Sequence, residues 1–277
     1  CIAVAGFVYG RLYSPNLDAT NALMLRVFVP ALVFDVLSSG DFRIVEFSWL
    51  ALGGAIVVLG SGLLAWPFSR GLGYSARVFV PTMMFNNCGN LGLPLAVLAF
   101  GQDALHAAVV LFLVSNMLHF TLGVYIFGGG ISWRGALLNP VNIATLVALG
   151  INLGGVPVPT IIEYPISLLG QIVIPLMLFS LGVRMVNTDV EHLRIGIVGG
   201  IVCPATGVVM ALIATAIIPV DTYQTGLLIV FAALPPAVLN FLFAERYNAE
   251  PGKAASIVMI SHIMAIPILW LILWWLL

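Results

Sequence analysis

Long intervals without a single charged residue alternate with short polar clusters along this chain. The clearest run from Phe47 to Ser69, Val78 to Gln102, Ala104 to Trp133, Gly135 to Ile162, Tyr164 to Val183, Ile195 to Val220 and Thr222 to Ala244. Each matches or exceeds the roughly 20 residues that an α-helix needs to cross a hydrocarbon layer about 30 Å thick. Cutting at the polar clusters predicts ten spans, at about 1–13, 18–38, 47–69, 75–101, 104–128, 136–156, 163–186, 195–219, 222–244 and 253–277. The apolar part of the first, Cys1 to Gly10, is too short to span, so roughly ten further residues are expected ahead of it. It has neither the basic start nor the small-residue cleavage pattern of a signal peptide. No loop is long enough to hold a soluble domain, so residues 1–277 read as one transmembrane unit. The alternation of apolar and polar positions that marks barrel strands is missing.

Composition agrees with an all-α integral membrane protein. The 277 residues are 61% hydrophobic and 8% charged, against about 25% charged in a soluble domain. A net charge of −1 and the lack of a basic cluster argue against a nucleic-acid partner. Cys1, Cys88 and Cys203 are an odd, scattered set and read as small buried hydrophobes, not as a disulfide or metal site. Gly128 to Gly130 punctuates a loop, with no strand before it and no nucleotide-binding spacing after it. No cofactor or metal is expected.

Sliding the sequence along itself by about half its length shows an internal repeat. "RVFVPALVFDVL" (Arg26 to Leu37) lies over "QIVIPLMLFSLG" (Gln171 to Gly182), with Pro30 on Pro175 and Phe34 on Phe179. Two residues off that register, Asp103, His106, Ala107 and Ala108 fall on Glu250, Lys253, Ala254 and Ala255. Each half then holds five spans, and an odd number turns the second half over in the membrane, giving an inverted repeat. The basic residues fit that count. Arg11, Arg70, Arg77, Arg134, Arg184, Arg194, Arg246 and Lys253 lie in or beside the odd-numbered connections, whereas the even-numbered ones contain only Arg43. The positive-inside tendency makes the first side cytoplasmic and places both termini outside.

The fourth span carries "FNNCGNLGLPLA" (Phe85 to Ala96) in its interior. Asn87 is about ten residues in, roughly 15 Å at 1.5 Å per residue and so near the bilayer centre. A Gly-Asn pair resists regular helix and Pro94 lacks a backbone donor, so this span is expected to be two half-helices joined by an unwound link. In the ninth span Pro235-Pro236 make a break at similar depth. Unwound backbone at that depth is tolerated only where protein or a watery cavity supplies hydrogen-bond partners. If the broken helices cross, the N-termini of their inner halves bring partial positive charge and free N–H groups to one midplane point, which suits a carboxylate. Asn86, Asn87, Asn90 and Asn240 could add uncharged amide donors, with Gly89 offering backbone.

"ALPPAVLNFLFAERYN" (Ala233 to Asn248) closely resembles the ninth-helix crossover of the auxin efflux carrier family, which includes plant PIN proteins and bacterial organic acid carriers. "NNCGNLGLPLA" resembles the family's fourth-helix crossover, and the likeness extends weakly over essentially the whole chain. The resemblance implies a ten-helix fold like that of bile acid sodium symporters. Its scaffold would comprise about 1–46 and 136–190, its transport part about 47–130 and 191–277, and it would work by an elevator-like movement, often within a homodimer joined through the scaffold helices. By motif position the family's anion-contacting asparagine falls on Asn87 and its crossover proline on Pro235. Asn86 stands where plant members tend to have proline, Pro236 replaces a polar residue, and the long central cytoplasmic loop is missing, departures that favour a bacterial-type carrier.

Arg26 lies about two turns into the second span, where a charge by default marks function. Two readings stand: it draws anions or pairs with a carboxylate, or it snorkels to the cytoplasmic face. His119 and His262, inside the fifth and tenth spans, could couple transport to protons, though a neutral ring bonded to nearby backbone is the favoured reading. Trp270, Trp274 and Trp275 fit an interfacial belt. The sequence thus points to a secondary carrier for a small organic anion in a plasma or bacterial inner membrane. A sodium-coupled symporter is the nearest rival, and no carboxylate for a cation site falls inside the transport part. An intramembrane enzyme is a remoter one, since neither H-E-x-x-H nor paired intramembrane aspartates occur.

Overall fold

The computed structural model describes residues 2–40, 42–130, 138–184, 186 and 192–277; Cys1, Arg134, Asp189 and Glu191 lie outside that set. Among the described residues, regular structure is helical apart from one isolated β-bridge. In chain order the helices are α1 (Ile2–Tyr13), α2 (Asp18–Ser38), α3 (Ile44–Gly71), α4 (Ala76–Met84), α5 (Cys88–Phe100), α6 (Ala104–Ile126), α7 (Pro140–Leu153), α8 (Thr160–Arg184), α9 (Leu193–Ile217), α10 (Thr222–Ala232), α11 (Leu239–Arg246) and α12 (Pro251–Leu276). Six of these, α2, α3, α6, α8, α9 and α12, are long and apolar enough to cross a membrane. The predicted fourth span contains α4 and α5, and the predicted ninth contains α10 and all but the last two residues of α11.

Large apolar side chains cover much of the surface: Leu63 is 76% exposed, Ile161 83% and Trp274 76%. In water such exposure forgoes about 25 cal/mol per Å² of apolar area, a penalty that contact with lipid removes.

Two compact units divide the chain. The first comprises Cys1–Glu46, Gly89–Val109 and Ser132–Asn187. Here α1 packs along the second half of α8, and glycines set the closeness of the approach. A Cβ built on Gly6 would stand 2.0 Å from the Phe179 carbonyl oxygen, and one on Gly182 would stand 1.9 Å from that of Ala3. Small residues at such a crossing let the two backbones meet, as lipid-embedded helices do when van der Waals packing must hold them together. α2 lies against α7 and the first half of α8. Asn152 clamps the end of α2 by donating from Nδ2 to the Ser39 and Phe42 carbonyls at 3.1 and 3.0 Å. α7, expected over about 136–156, starts at Pro140, where the Asn139 side chain accepts from the Val141 N–H at 3.0 Å and caps the helix.

The second unit comprises Phe47–Cys88, Val110–Ile131 and Thr188–Leu277. α9 is its central helix, packed on α3, α4, α10 and α12. Phe79, Met83, Cys203 and Ile257 fill the space between α4, α9 and α12 and are almost wholly buried. Arg77, at the start of α4, donates from Nη2 to the Phe127 carbonyl at 2.7 Å and so ties α4 to the end of α6. This packing fixes the ends of α4 and α10, which is where the candidate site lies.

Candidate functional site

Both helices that carry it stop short. α4 ends at Met84, and Phe85 turns to an extended conformation with φ −105° and ψ 97°. α10 ends at Ala232, and consecutive prolines follow at 235 and 236. A proline disfavours the α conformation in the residue before it, so Leu234 and Pro235 are both pushed away from helix. The sequence had placed the first break around Gly89 and Pro94, but the extended link is Phe85 to Asn87. Pro94 comes after it, as the second residue of the regular α portion of α5, behind the wide π turn Cys88–Gly92.

The two links lie antiparallel and bridge at Asn86 and Pro236. The Asn87 N–H donates to the Pro235 carbonyl at 2.8 Å, and the Ala237 N–H donates to the Phe85 carbonyl at 2.8 Å. Asn86 and Pro236 form the intervening pair that exchanges no backbone bond, so the proline's missing N–H leaves nothing unpaired. The broken ladders are therefore closed against each other.

Side-chain amides complete the closure. Asn86 donates from Nδ2 to the Phe231 and Ala232 carbonyls, at 3.1 and 3.0 Å, satisfying the end of α10. Its Oδ1 accepts from the Cys203 thiol at 3.3 Å. Asn240, 0% exposed, donates from Nδ2 to the Phe85 carbonyl at 2.9 Å, and its Oδ1 meets His119 Nε2 at 3.0 Å. His119 stacks on Phe85 with ring centroids 4.1 Å apart and takes the edge of Phe243 at 5.2 Å. Asn86 and Asn240 thus have both amide ends engaged inside the protein, and His119 belongs to the same internal network.

Asn87 is arranged differently. Its Nδ2 lies 2.9 Å from His262 Nε2, the one side-chain hydrogen bond seen for it among the described residues, and the residue is 3% exposed. The His262 Nδ1 lies 2.7 Å from the Val258 carbonyl, one turn back along α12.

Of the residues picked out from sequence, Asn86, Asn87, Pro235, Pro236, Asn240, His119 and His262 come together in the second unit. Gly89 and Asn90 are half-buried at the start of α5 and belong to the first unit, as does Arg26, exposed in the π turn Met24–Phe28 of α2. Sequence reasoning missed Phe85 and Cys203. Cys203 read only as a small buried hydrophobe; its depth in a charge-free span was compatible with a thiol donor, but its partner lies 117 positions away. A glycine next to the site was missed too. A Cβ on Gly207 would stand 2.0 Å from the Ala232 carbonyl oxygen, the group that Asn86 binds, so α9 presses on the end of α10 with no room for a side chain.

Apolar outer surfaces and six helices long enough to span mark a multi-pass membrane protein. A sequence profile described as membrane transport protein matches residues 129–273. This protein belongs to that family, the auxin efflux carriers. It is 22% identical over 279 aligned positions to an uncharacterised transporter of Methanocaldococcus jannaschii, an alignment covering 92% of this chain and 88% of that one. It is 31% identical over 144 residues to auxin efflux carrier component 3a of Oryza sativa, and 26% identical over 147 residues to auxin efflux carrier component 1 of Arabidopsis thaliana. Those two matches each cover 49% of this chain and 23% of the plant protein.

Proposed function

We propose that this transporter is a secondary carrier for a small organic anion bearing a carboxylate, and that Asn87 contacts the substrate. The observation that carries this reading is the contrast among the crossover amides. Asn86 and Asn240 are bonded at both ends, and among the described residues Asn87 alone of these three shows a single side-chain hydrogen bond. An uncharged amide holds an anion weakly enough to release it, as a carrier must.

The proposal extends to ten spans in two inverted halves, both termini outside, in a plasma or bacterial inner membrane. The distribution of basic residues supports that orientation. It extends also to elevator-type alternating access, for which the division of the chain into two compact units supplies the necessary parts, and to a homodimer. That the plant relatives are named auxin efflux carriers makes aromatic and aliphatic carboxylates the first substrates to try.

The test is thermal stabilisation of the purified protein by a panel of carboxylates, with and without sodium. A ligand at 100 times its Kd stabilises by about 2.7 kcal/mol, a shift of several degrees. At least one carboxylate should do this for the parent and much less for Asn87→Ala. Equal stabilisation of both proteins, or of neither, ends the proposal.

A further inference from the structure

Two of the contacts of His262 together determine which way the Asn87 amide points. Its Nδ1 lies 2.7 Å from the Val258 carbonyl oxygen. A carbonyl oxygen can only accept, so Nδ1 carries a hydrogen and donates it. In a neutral imidazole the other nitrogen, Nε2, then has a lone pair and no hydrogen. It must be met by a donor, and the Asn87 NH₂ group meets it at 2.9 Å. The amide carbonyl oxygen of Asn87 is in consequence turned away from the ring. Among the described residues the contact with His262 is the one side-chain hydrogen bond seen for Asn87, so the ring alone sets the orientation of its amide.

A second proton on the ring reverses this logic. Both nitrogens of an imidazolium donate, so Nε2–H would face the Asn87 NH₂ group, donor against donor. Rotating the amide by half a turn removes the conflict: Oδ1 accepts from Nε2–H and both amide hydrogens face the other way. We propose that His262 is the positioning residue of the anion site, and that its protonation turns the Asn87 amide from carbonyl-presenting to NH₂-presenting, so that binding a carboxylate takes up one proton. This rests on the reading of Asn87 as the substrate contact. With a neutral ring, an anion meets one remaining amide hydrogen beside a repelling oxygen. With a charged ring it meets two hydrogens and a neighbouring positive charge, and charge-assisted bonds are about twice as strong as neutral ones. Proton and anion therefore favour each other's binding by the same factor. A carrier built this way moves its anion with a proton.

The other titratable groups are accounted for by position. On α12 itself Lys253 is paired with Glu250 at the helix start. On the helices packed against α12 they are Arg77 at the start of α4, Arg194 and Cys203 on α9, Tyr223 on α10, and Glu245 with Arg246 on α11. Arg77 donates to the Phe127 carbonyl and Cys203 to Asn86. Cys88 follows Asn87 in the crossover and is buried. His119, buried in the same unit, is bonded to Asn240.

The experiment is calorimetric titration of the purified full chain with lactate, benzoate and indole-3-acetate, each ionised throughout the range, in buffers of differing ionisation enthalpy. Affinity for a binding carboxylate should fall about tenfold as the pH is raised from about 6 to about 8. Near neutral pH the buffer dependence of the heat should show net proton uptake on binding. His262→Gln cannot take up the proton, and should bind with little pH dependence and no proton uptake. Binding by the unaltered chain that is independent of pH and of buffer overturns the coupling while leaving the carboxylate reading intact. Proton uptake that persists in His262→Gln assigns the proton to another group and overturns it as well. If none of the three acids binds at any pH, and the wider panel above also fails, the carboxylate reading falls and the coupling falls with it.

Discussion

Replacing Asn240 should destabilise the protein without touching its ligand selectivity, and the size of the effect follows from what the amide holds. Asn240 is wholly buried, its Nδ2 bonded to the Phe85 carbonyl and its Oδ1 to His119. Because Nδ2 is directed at the carbonyl, the oxygen is what His119 meets, and His119 must donate from Nε2. Asn240→Ala leaves the buried His119 Nε2–H without its partner, while the Phe85 carbonyl keeps the Ala237 N–H at 2.8 Å. An unsatisfied buried donor costs about 1–3 kcal/mol. At about 2–4 °C per kcal/mol for a chain somewhat smaller than this one, the melting temperature falls by roughly 2–12 °C. Asn240→Asp is the sharper variant. It keeps the volume and the acceptor for His119 but sets a second oxygen against the Phe85 carbonyl, so it should melt at least as low as the alanine variant although no cavity is made. Melting would be followed in detergent by intrinsic fluorescence, with and without a stabilising carboxylate. The increment due to ligand should survive in both variants. Asn240→Asp melting within about 2 °C of the parent would refute the assigned orientation, since a carbonyl facing a carboxylate oxygen cannot be neutral to stability.

Three further outcomes follow from the same geometry. Gly207→Ala brings a methyl group to 2.0 Å from the Ala232 carbonyl, where only backbone can yield, so it should lower the melting temperature and weaken carboxylate binding together, whereas an alanine at Gly71, which meets nothing within 4 Å, should change neither. Cys88 and Cys203 are both buried, so in a Cys1→Ser background maleimide should label neither in the folded protein and both after denaturation in detergent; rapid labelling of that native variant would show that the crossover opens. Asn86→Ala takes the amide donor from the Ala232 carbonyl and leaves the Phe231 carbonyl only the Leu234 N–H at 3.4 Å, so it should be at least as destabilising as Asn240→Ala, as read by the same melting curves.

The sequence was legible where a physical demand acts along the chain. Span lengths follow from the bilayer, and six helices among the described residues are long and apolar enough to cross it. Pro235-Pro236 announced their break because two successive prolines cannot continue a helix, whatever surrounds them. The fourth-span break was legible in existence but not in position. Gly89 and Pro94 looked like its cause, yet the chain leaves the helix at Phe85, where the opposing link offers its Ala237 N–H to a carbonyl that a continued helix would have occupied. The separate roles of the asparagines were not legible at all. Asn86, Asn87 and Asn240 have the same chemistry, and their partners lie 145, 175 and 155 positions away respectively, so only the folded arrangement tells a structural amide from an available one.

That distinction bears on why a crossover of this kind uses asparagine at all. Breaking two membrane helices at the same place exposes carbonyls at both helix ends, and a charged donor buried there would need a partner charge to offset its desolvation. An amide supplies donor and acceptor with no net charge, so Asn86 can close the end of α10 and Asn240 the carbonyl of Phe85 while each also accepts a bond. The same neutrality suits a substrate contact, because an anion held by an amide leaves without separating an ion pair. The two uses make opposite demands under substitution. Removing an amide bonded at both ends strands buried groups, whereas removing Asn87 frees one histidine nitrogen and leaves its backbone bond to Pro235 in place. Melting temperature should therefore fall further for alanine at 86 or 240 than at 87, and carboxylate affinity should fall furthest at 87. A variant series in which both quantities decline in parallel at all three positions would mean that the crossover binds as one body and that no single amide is its contact.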